Sequence, residues 1–232
     1  MNASDYRLQA RQALQGNWLL AAGVTFVAAL LGGGVGSSSS FDSSSSTESL
    51  GVIQNVPSDQ WLLIILVAGI IILATFAYSC FVGGVVNTGY HKFHLNIMDG
   101  VLPEFSDLFS RFKKGVYLDT VKLVALQSLC IFGLTLLFVI PGIIAIYSYA
   151  MSYYVMLEHP ELSPWECMKV SKAMMEGNRW RLFCLEFSFI GWAILSALTF
   201  GIGGLFLTPY TFSAQTAFYR SVRDSVDIQN YL

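Results

Sequence analysis

Residues 61–86 read WLLIILVAGIIILATFAYSCFVGGVV, without one charged side chain. A helix needs roughly 20 apolar residues to cross the hydrocarbon core of a bilayer, and a soluble domain has no use for so long an uncharged run. Residues 123–157 and 187–219 are equally free of Asp, Glu, Lys and Arg. The 232-residue chain is 54% hydrophobic and 12% charged, about half the charge of an average soluble domain. Its mean hydropathy is +0.57. These runs predict an all-α, polytopic membrane helical bundle. A formal net charge of −2 gives no sign of nucleic acid as a partner. Cys80, Cys130, Cys167 and Cys184 stand apart with no CxxC pair, which argues against a disulfide framework or a metal site.

Proline and glycine divide the runs. Pro141-Gly142 interrupts the third, and proline is tolerated at the start of a new helix, so spans are expected at 116–140 and 141–158. "TFGIGG" at 199–204 similarly separates 180–200 from 202–220. With 17–35 and 61–88 the count is six. Residues 17–35 also have features of a secretory signal, with Arg7 and Arg11 ahead and small residues behind, but no A-x-A site follows. They read as a retained first span.

Lysine and arginine favour cytoplasmic loops. All 13 basic residues fall in or near 1–16, 89–115, 159–181 and 221–232, whereas the serine-rich loop 36–60 has Asp42, Glu48 and Asp59 and no base. Both termini are therefore expected in the cytoplasm. Two basic loops flanking one long run require an even number of crossings, so each run is a hairpin. The alternative for the apices at Ile140–Gly142 and Gly201–Gly204 is a re-entrant turn inside the bilayer.

"MMEGNRWRLF" at 174–183 echoes "ALQGNWLLAA" at 13–22. Aligned on Gly16, Gly115 and Gly177, each junction ends a short amphipathic segment (1–16, 103–115 and 163–177) and precedes an aromatic residue, Trp18, Tyr117 or Trp180. Positions three and ten before the glycine are apolar in every copy: Ala13 and Tyr6, Phe112 and Phe105, Met174 and Cys167. In the middle copy Phe105, Leu108, Phe109 and Phe112 follow helical spacing. In the last copy Ser163, Pro164 and Glu166 spell a capping box. The pattern predicts three hairpins, each led in by a cytoplasmic interfacial helix that ends at a glycine C-cap. Asn178 belongs to the junction, although the middle copy lacks an asparagine. Convergent use of a common juxtamembrane solution is the competing explanation.

Charges inside a membrane are the default functional candidates. Lys122 and Glu186 sit at similar depth, which allows an ion pair between spans; the alternatives are a snorkelling Lys122 and a Glu186 bonded to Arg181 or Asn178. Thr208, Thr211, Gln215 and Tyr219 form a polar stripe on the last span around Pro209, and Tyr210 lies beside it. A polar site at Lys122, Glu186, Gln215, Thr211 and Tyr210 is one reading, and helix packing is the other. His91 and His94 are spaced for a metal, but no third ligand is fixed near them. No cofactor, metal or catalytic residue is expected, because no P-loop, GxSxG or HExxH occurs.

The motifs "FVIPGIIAIYSYAMSYYVMLEHPELSPWECMKVSKAMMEGNRWRLFCLEFSFIGW" and "LTFGIGGLFLTPYTFSAQTAFY", with "ARQALQGNWLLA" near the start, resemble the bacterial integral-membrane family called domain of unknown function 975. The resemblance implies a bacterial cytoplasmic (plasma) membrane protein and supplies no activity. The leading expectation is a non-enzymatic scaffold or envelope-associated factor. It would act through membrane lipids, by anionic headgroups at the basic face, or through other membrane proteins or self-association. The alternative is a small transporter, exporter or lipid-translocating module.

Overall fold

A computed structural model describes residues 3–31, 61–113, 115–199 and 203–226. The serine-rich loop 36–60 and Gly201 at the last apex lie outside the described residues. Those described are helical, with no strand among them. In chain order the α-helices are α1 (Ala3–Ala13), α2 (Trp18–Leu30), α3 (Trp61–Tyr78), α4 (Gly84–Met98), α5 (Tyr117–Leu137), α6 (Val139–Tyr149), α7 (Ser152–Glu158), α8 (Pro164–Met174), α9 (Arg179–Phe187), α10 (Ile190–Leu198) and α11 (Gly204–Val222). Among the described residues, four segments are long and apolar enough to cross a membrane: Ile65–Met98, Tyr117–Leu137, Val139–Glu158 and Arg179–Leu198. The pair α1 and α2, bent by 100°, would make a fifth.

Helix α11 is the hub, packing against α1, α2, α4, α9 and α10. Ser213, Thr216 and Tyr219 are buried in it beside Phe212 and Phe218. A helix shielded by other helices does not need an apolar surface, so the same polar residues that keep it off the list of four suit its central position. By contrast α3 exposes Leu63, Ile65, Leu66, Ile70, Ile71 and Leu73, an apolar outer surface consistent with a membrane helix. A single π-turn over Ser79–Gly83 joins α3 to the buried α4, the Gly84 N–H bonding the Ser79 carbonyl. Such bulges shift the phase of a helix, here where its environment changes from outside to core.

The three glycine junctions share one geometry. Gly16, Gly115 and Gly177 have φ of +88°, +100° and +78°, the left-handed region that costs other residues about 1–2 kcal/mol. In each, the next residue donates its N–H to the carbonyl two before the glycine: Asn17 to Leu14, Val116 to Lys113, Asn178 to Met175. Asn178 also donates through Nδ2 to the Met174 carbonyl at 3.0 Å and accepts from Arg181 at 2.7 Å. Trp180 is 70% exposed and stacks on Phe183.

The segments before these glycines differ from one another. In α1, Tyr6 and Ala10 are buried, and in α8 Cys167 and Met174 are buried. The middle segment, expected as an interfacial α-helix with Phe105, Leu108, Phe109 and Phe112 on one face, is a 3₁₀ helix over Phe105–Phe112. It buries Asp107, Leu108 and Arg111 and leaves Phe105, Phe109 and Phe112 exposed. Three residues per turn instead of 3.6 redistribute the side chains, so Leu108 leaves the face drawn from spacing while the three phenylalanines stay on the exposed side.

The break after α5 is also displaced. Phe138 is extended at φ −157°, ψ 142° and alone separates α5 from α6. Pro141 is therefore the third residue of α6, not the first, where its missing N–H still costs no helical bond. Gly142 lets the arms close: a Cβ there would stand 2.8 Å from the Thr135 Cα.

The capping box of α8 forms in both directions, Glu166 N–H to Ser163 Oγ and Ser163 N–H to Glu166 Oε2. The Ser163 bonds hold the Glu166 carboxyl below its ordinary 4.5. A depressed folded value means stability that is present above the unfolded value and lost as pH falls through the folded one. Glu166→Gln should therefore melt below the parent at pH 7, with the gap closing once pH drops under about 4.5. An unchanged gap between pH 7 and pH 3 would contradict this.

Candidate functional site

Two adjoining cavities lie against α11, and Leu207 lines both. The larger, about 610 Å³, is enclosed by α1, α10 and α11, with Trp18 at the start of α2. Leu8, Trp192, Leu195, Phe206 and Tyr210 line it together with Arg7 and Arg11 of α1. Arg7 reaches the Ser188 carbonyl at 3.4 Å. Trp18 and Tyr210 meet at 6.3 Å between ring centroids, and Tyr210 meets Phe189 edge-on at 5.1 Å. The cavity lining is therefore mainly aromatic and aliphatic, with two guanidinium groups from α1.

The smaller cavity, about 240 Å³, holds Glu186 together with Thr211 and Gln215. Tyr147 on α6 donates to Glu186 Oε2 at 2.8 Å, and Gln215 Nε2 on α11 donates to Oε1 at 3.1 Å. Thr211 turns back to bond the Thr208 carbonyl at 2.8 Å. The five polar residues singled out by sequence are thus divided. Glu186, Thr211 and Gln215 share a cavity, Tyr210 lines the neighbouring one, and Lys122 joins neither. Lys122 pairs with Asp119 at 3.2 Å, one helical turn away, with both side chains largely exposed. The Lys122–Glu186 pair does not form, because each group has a nearer partner. Arg181 and Asn178 are not the partners of Glu186 either; Arg181 bonds Asn178 and the Tyr6 hydroxyl. Tyr147 was missed by sequence reasoning, and nothing in "IAIYSYAMSYY" distinguishes it from its neighbouring tyrosines.

Other polar side chains are held by the bundle itself. His94 Nδ1 meets Ser213 Oγ at 2.9 Å, and His91 stacks on Tyr153 with Tyr154 edge-on. Tyr90 meets Thr25 at 2.6 Å, and Tyr154 meets Thr216 at 3.1 Å. At one end, Glu158 receives Tyr219 and Arg223, Arg220 pairs with Asp99, and Tyr6 joins Ser221. Buried Arg111 bonds the Met156 carbonyl at 3.1 Å, and burial lowers its pKa below that of an ordinary guanidinium. Burial pushes the Cys167 thiol up to about 12, which leaves it protonated and unreactive at neutral pH.

Residues 118–225, which include α6, α8, α9, α11 and the whole Glu186 cavity, match the model of a family described as "Protein of unknown function (DUF975)". The match supports assigning the chain to this family. No curated protein and no solved structure matches it. The DUF975 match takes in Lys122, Pro141, Gly142, Gly177, Asn178, Trp180, Glu186, Tyr210, Thr211 and Gln215, whereas Arg7, Arg11, Gly16, Trp18 and Gly115 precede it. The Glu186 cavity thus lies within the DUF975 region, and the arginines of the larger cavity lie outside it.

Proposed function

We propose that this DUF975 protein is a non-enzymatic, multi-pass protein of the bacterial plasma membrane that holds an anionic lipid. In this reading six spans form three hairpins, each led in by a cytoplasmic surface segment, with both termini in the cytoplasm. The observation that carries the lipid assignment is the larger cavity of about 610 Å³, in whose largely apolar lining Arg7 and Arg11 take part. An acyl chain fits the apolar walls, and a phosphate headgroup fits the guanidiniums, which favour planar oxyanion recognition. Burial of the Tyr6 and Ala10 face keeps α1 against α11 and the arginines in the cavity lining. A scaffold or envelope-associated role is consistent with lipid serving as a structural partner.

The test is lipid retention through purification in a maltoside detergent, read by native mass spectrometry after incubation with equimolar phosphatidylglycerol and phosphatidylcholine. Phosphatidylglycerol should be retained preferentially. The double variant Arg7→Gln/Arg11→Gln should lose roughly tenfold or more of that preference, on the scale of about 1 kcal/mol per basic residue near an anionic headgroup. Equal retention of both lipids by the parent protein would overturn the reading.

A second reading, a small transporter or exporter, is favoured by the Glu186 cavity, whose polar lining lies between α6, α9 and α11.

A further inference from the structure

Glu186 is an acceptor without a counter-charge. Tyr147 and Gln215 donate one hydrogen bond to each carboxylate oxygen, which leaves further lone pairs on both oxygens. Among the described residues no Lys, Arg or His forms an ion pair with it. Buried charges are ordinarily paired or neutralised. The carboxylate lines a cavity of about 240 Å³ with Phe183, Phe187 and Phe189. Tyr147 meets Phe183 edge-on at 6.0 Å, and Phe183 meets Phe187 at 5.9 Å, so these rings form one aromatic wall. Phe187 and Ile190 at the rim are 60% and 46% exposed, giving an apolar entrance on the outer surface of the helices.

We propose that this cavity binds an organic cation: an ammonium group on an apolar body, its charge set against Glu186 and its carbon substituents among Phe183, Phe187 and Phe189. An aromatic face attracts a cation, and more strongly where water is excluded. The carboxylate gains the counter-charge that the described side chains do not supply. The two hydrogen bonds fix it in place, so little ordering remains to be done on binding. The neighbouring cavity has the opposite polarity, with Arg7 and Arg11 in its lining, and repels the same ligand. The cation site does not depend on the anionic-lipid reading, since it uses different side chains.

The experiment measures binding of benzyltrimethylammonium and of its uncharged isostere neopentylbenzene to the full chain in maltoside detergent, by equilibrium dialysis. Both probes have the same shape, and the first is charged at every pH. The parent protein should bind the cation roughly tenfold or more tightly than the isostere, the scale expected of a desolvated charge contact. Glu186→Gln keeps the size of the side chain and should erase that preference while leaving isostere binding in place. Phe183→Leu should weaken cation binding severalfold. Equal affinity for the two probes, no binding of the cation, or a Glu186→Gln protein that still prefers it would each overturn the proposal. The two-probe comparison on the parent chain decides the matter even if a variant fails to fold. Loss of phosphatidylglycerol preference in the arginine double variant, with cation binding intact, would separate the two sites.

Discussion

Gly89→Ala is expected to destabilise the chain by about 3 kcal/mol, at the upper end of the usual cost of overpacking. Gly89 lies in α4, where the 3₁₀ segment Phe105–Phe112 crosses it. A Cβ at this position would stand 2.1 Å from the Leu108 carbonyl oxygen and 2.7 Å from its carbonyl carbon. Both are backbone atoms, so no rotamer change relieves the clash, and the segment has to move as a body. The matched control is Gly133→Ala in α5, where a Cβ meets nothing within 4 Å and helix propensity favours alanine. Melting of the solubilised protein, followed by size-exclusion chromatography, should show Gly89→Ala lower by about 10 °C for a chain of this size, with Gly133→Ala level or higher. Equal melting of the two variants would show that the close approach is unimportant.

The second large effect concerns the clasp that holds the same segment. Asp107, 9% exposed, accepts from Asn96 Nδ2 at 2.8 Å and from the Glu104 N–H at 3.2 Å. It also pairs with Lys92 at 3.3 Å. Asp107→Ala leaves a backbone donor, an amide and an ammonium without their acceptor. A buried pair broken on one side can cost several kcal/mol, but Lys92 is partly in solvent and screening reduces its share. About 2 kcal/mol is the expected loss, and Asp107→Asn, which keeps an acceptor, should lose about half of that. Limited proteolysis is the sharper readout, because release of the clasp should expose cleavage at Arg111 before the bundle melts. If Asp107→Ala resists protease like the parent protein, Asp107 does not secure the segment.

Both predictions concern the segment that sequence reading described least well. Its phenylalanines follow a helical period, and that period placed them on one face with Leu108, which is instead buried. Asp107 and Arg111, although charged, are the buried residues. Spacing reports which residues share a face only once the helix type is given, and the 3₁₀ winding here is fixed by contacts with α4 and α7. The Phe138 turn was misplaced for a related reason. Proline marks the neighbourhood of a break, but the extended residue is chosen by how closely α5 and α6 pack at Thr135 and Gly142. Gly16, Gly115 and Gly177 show the opposite case: positive φ at a helix end is a local requirement, and glycine is its local answer.

The candidate site follows the same division. Glu186 was conspicuous as a charge in an apolar run, and Gln215 as part of a polar stripe. Their meeting was not legible, nor was Tyr147 as the third member. The separations are 29 residues from Gln215 to Glu186 and 39 from Tyr147 to Glu186, and no period of a single helix carries such information.

What the sequence determined by itself is the class of the molecule, apolar helices joined at glycine corners with charge kept out of the long runs. Those features arise from hydration and backbone sterics, which act residue by residue. The tertiary structure decided which helix is central, which charges are buried and which cavity receives each polar group. Those outcomes depend on the packing of elements distant in sequence, where a carboxylate is matched by whichever donors the neighbouring helices bring within reach.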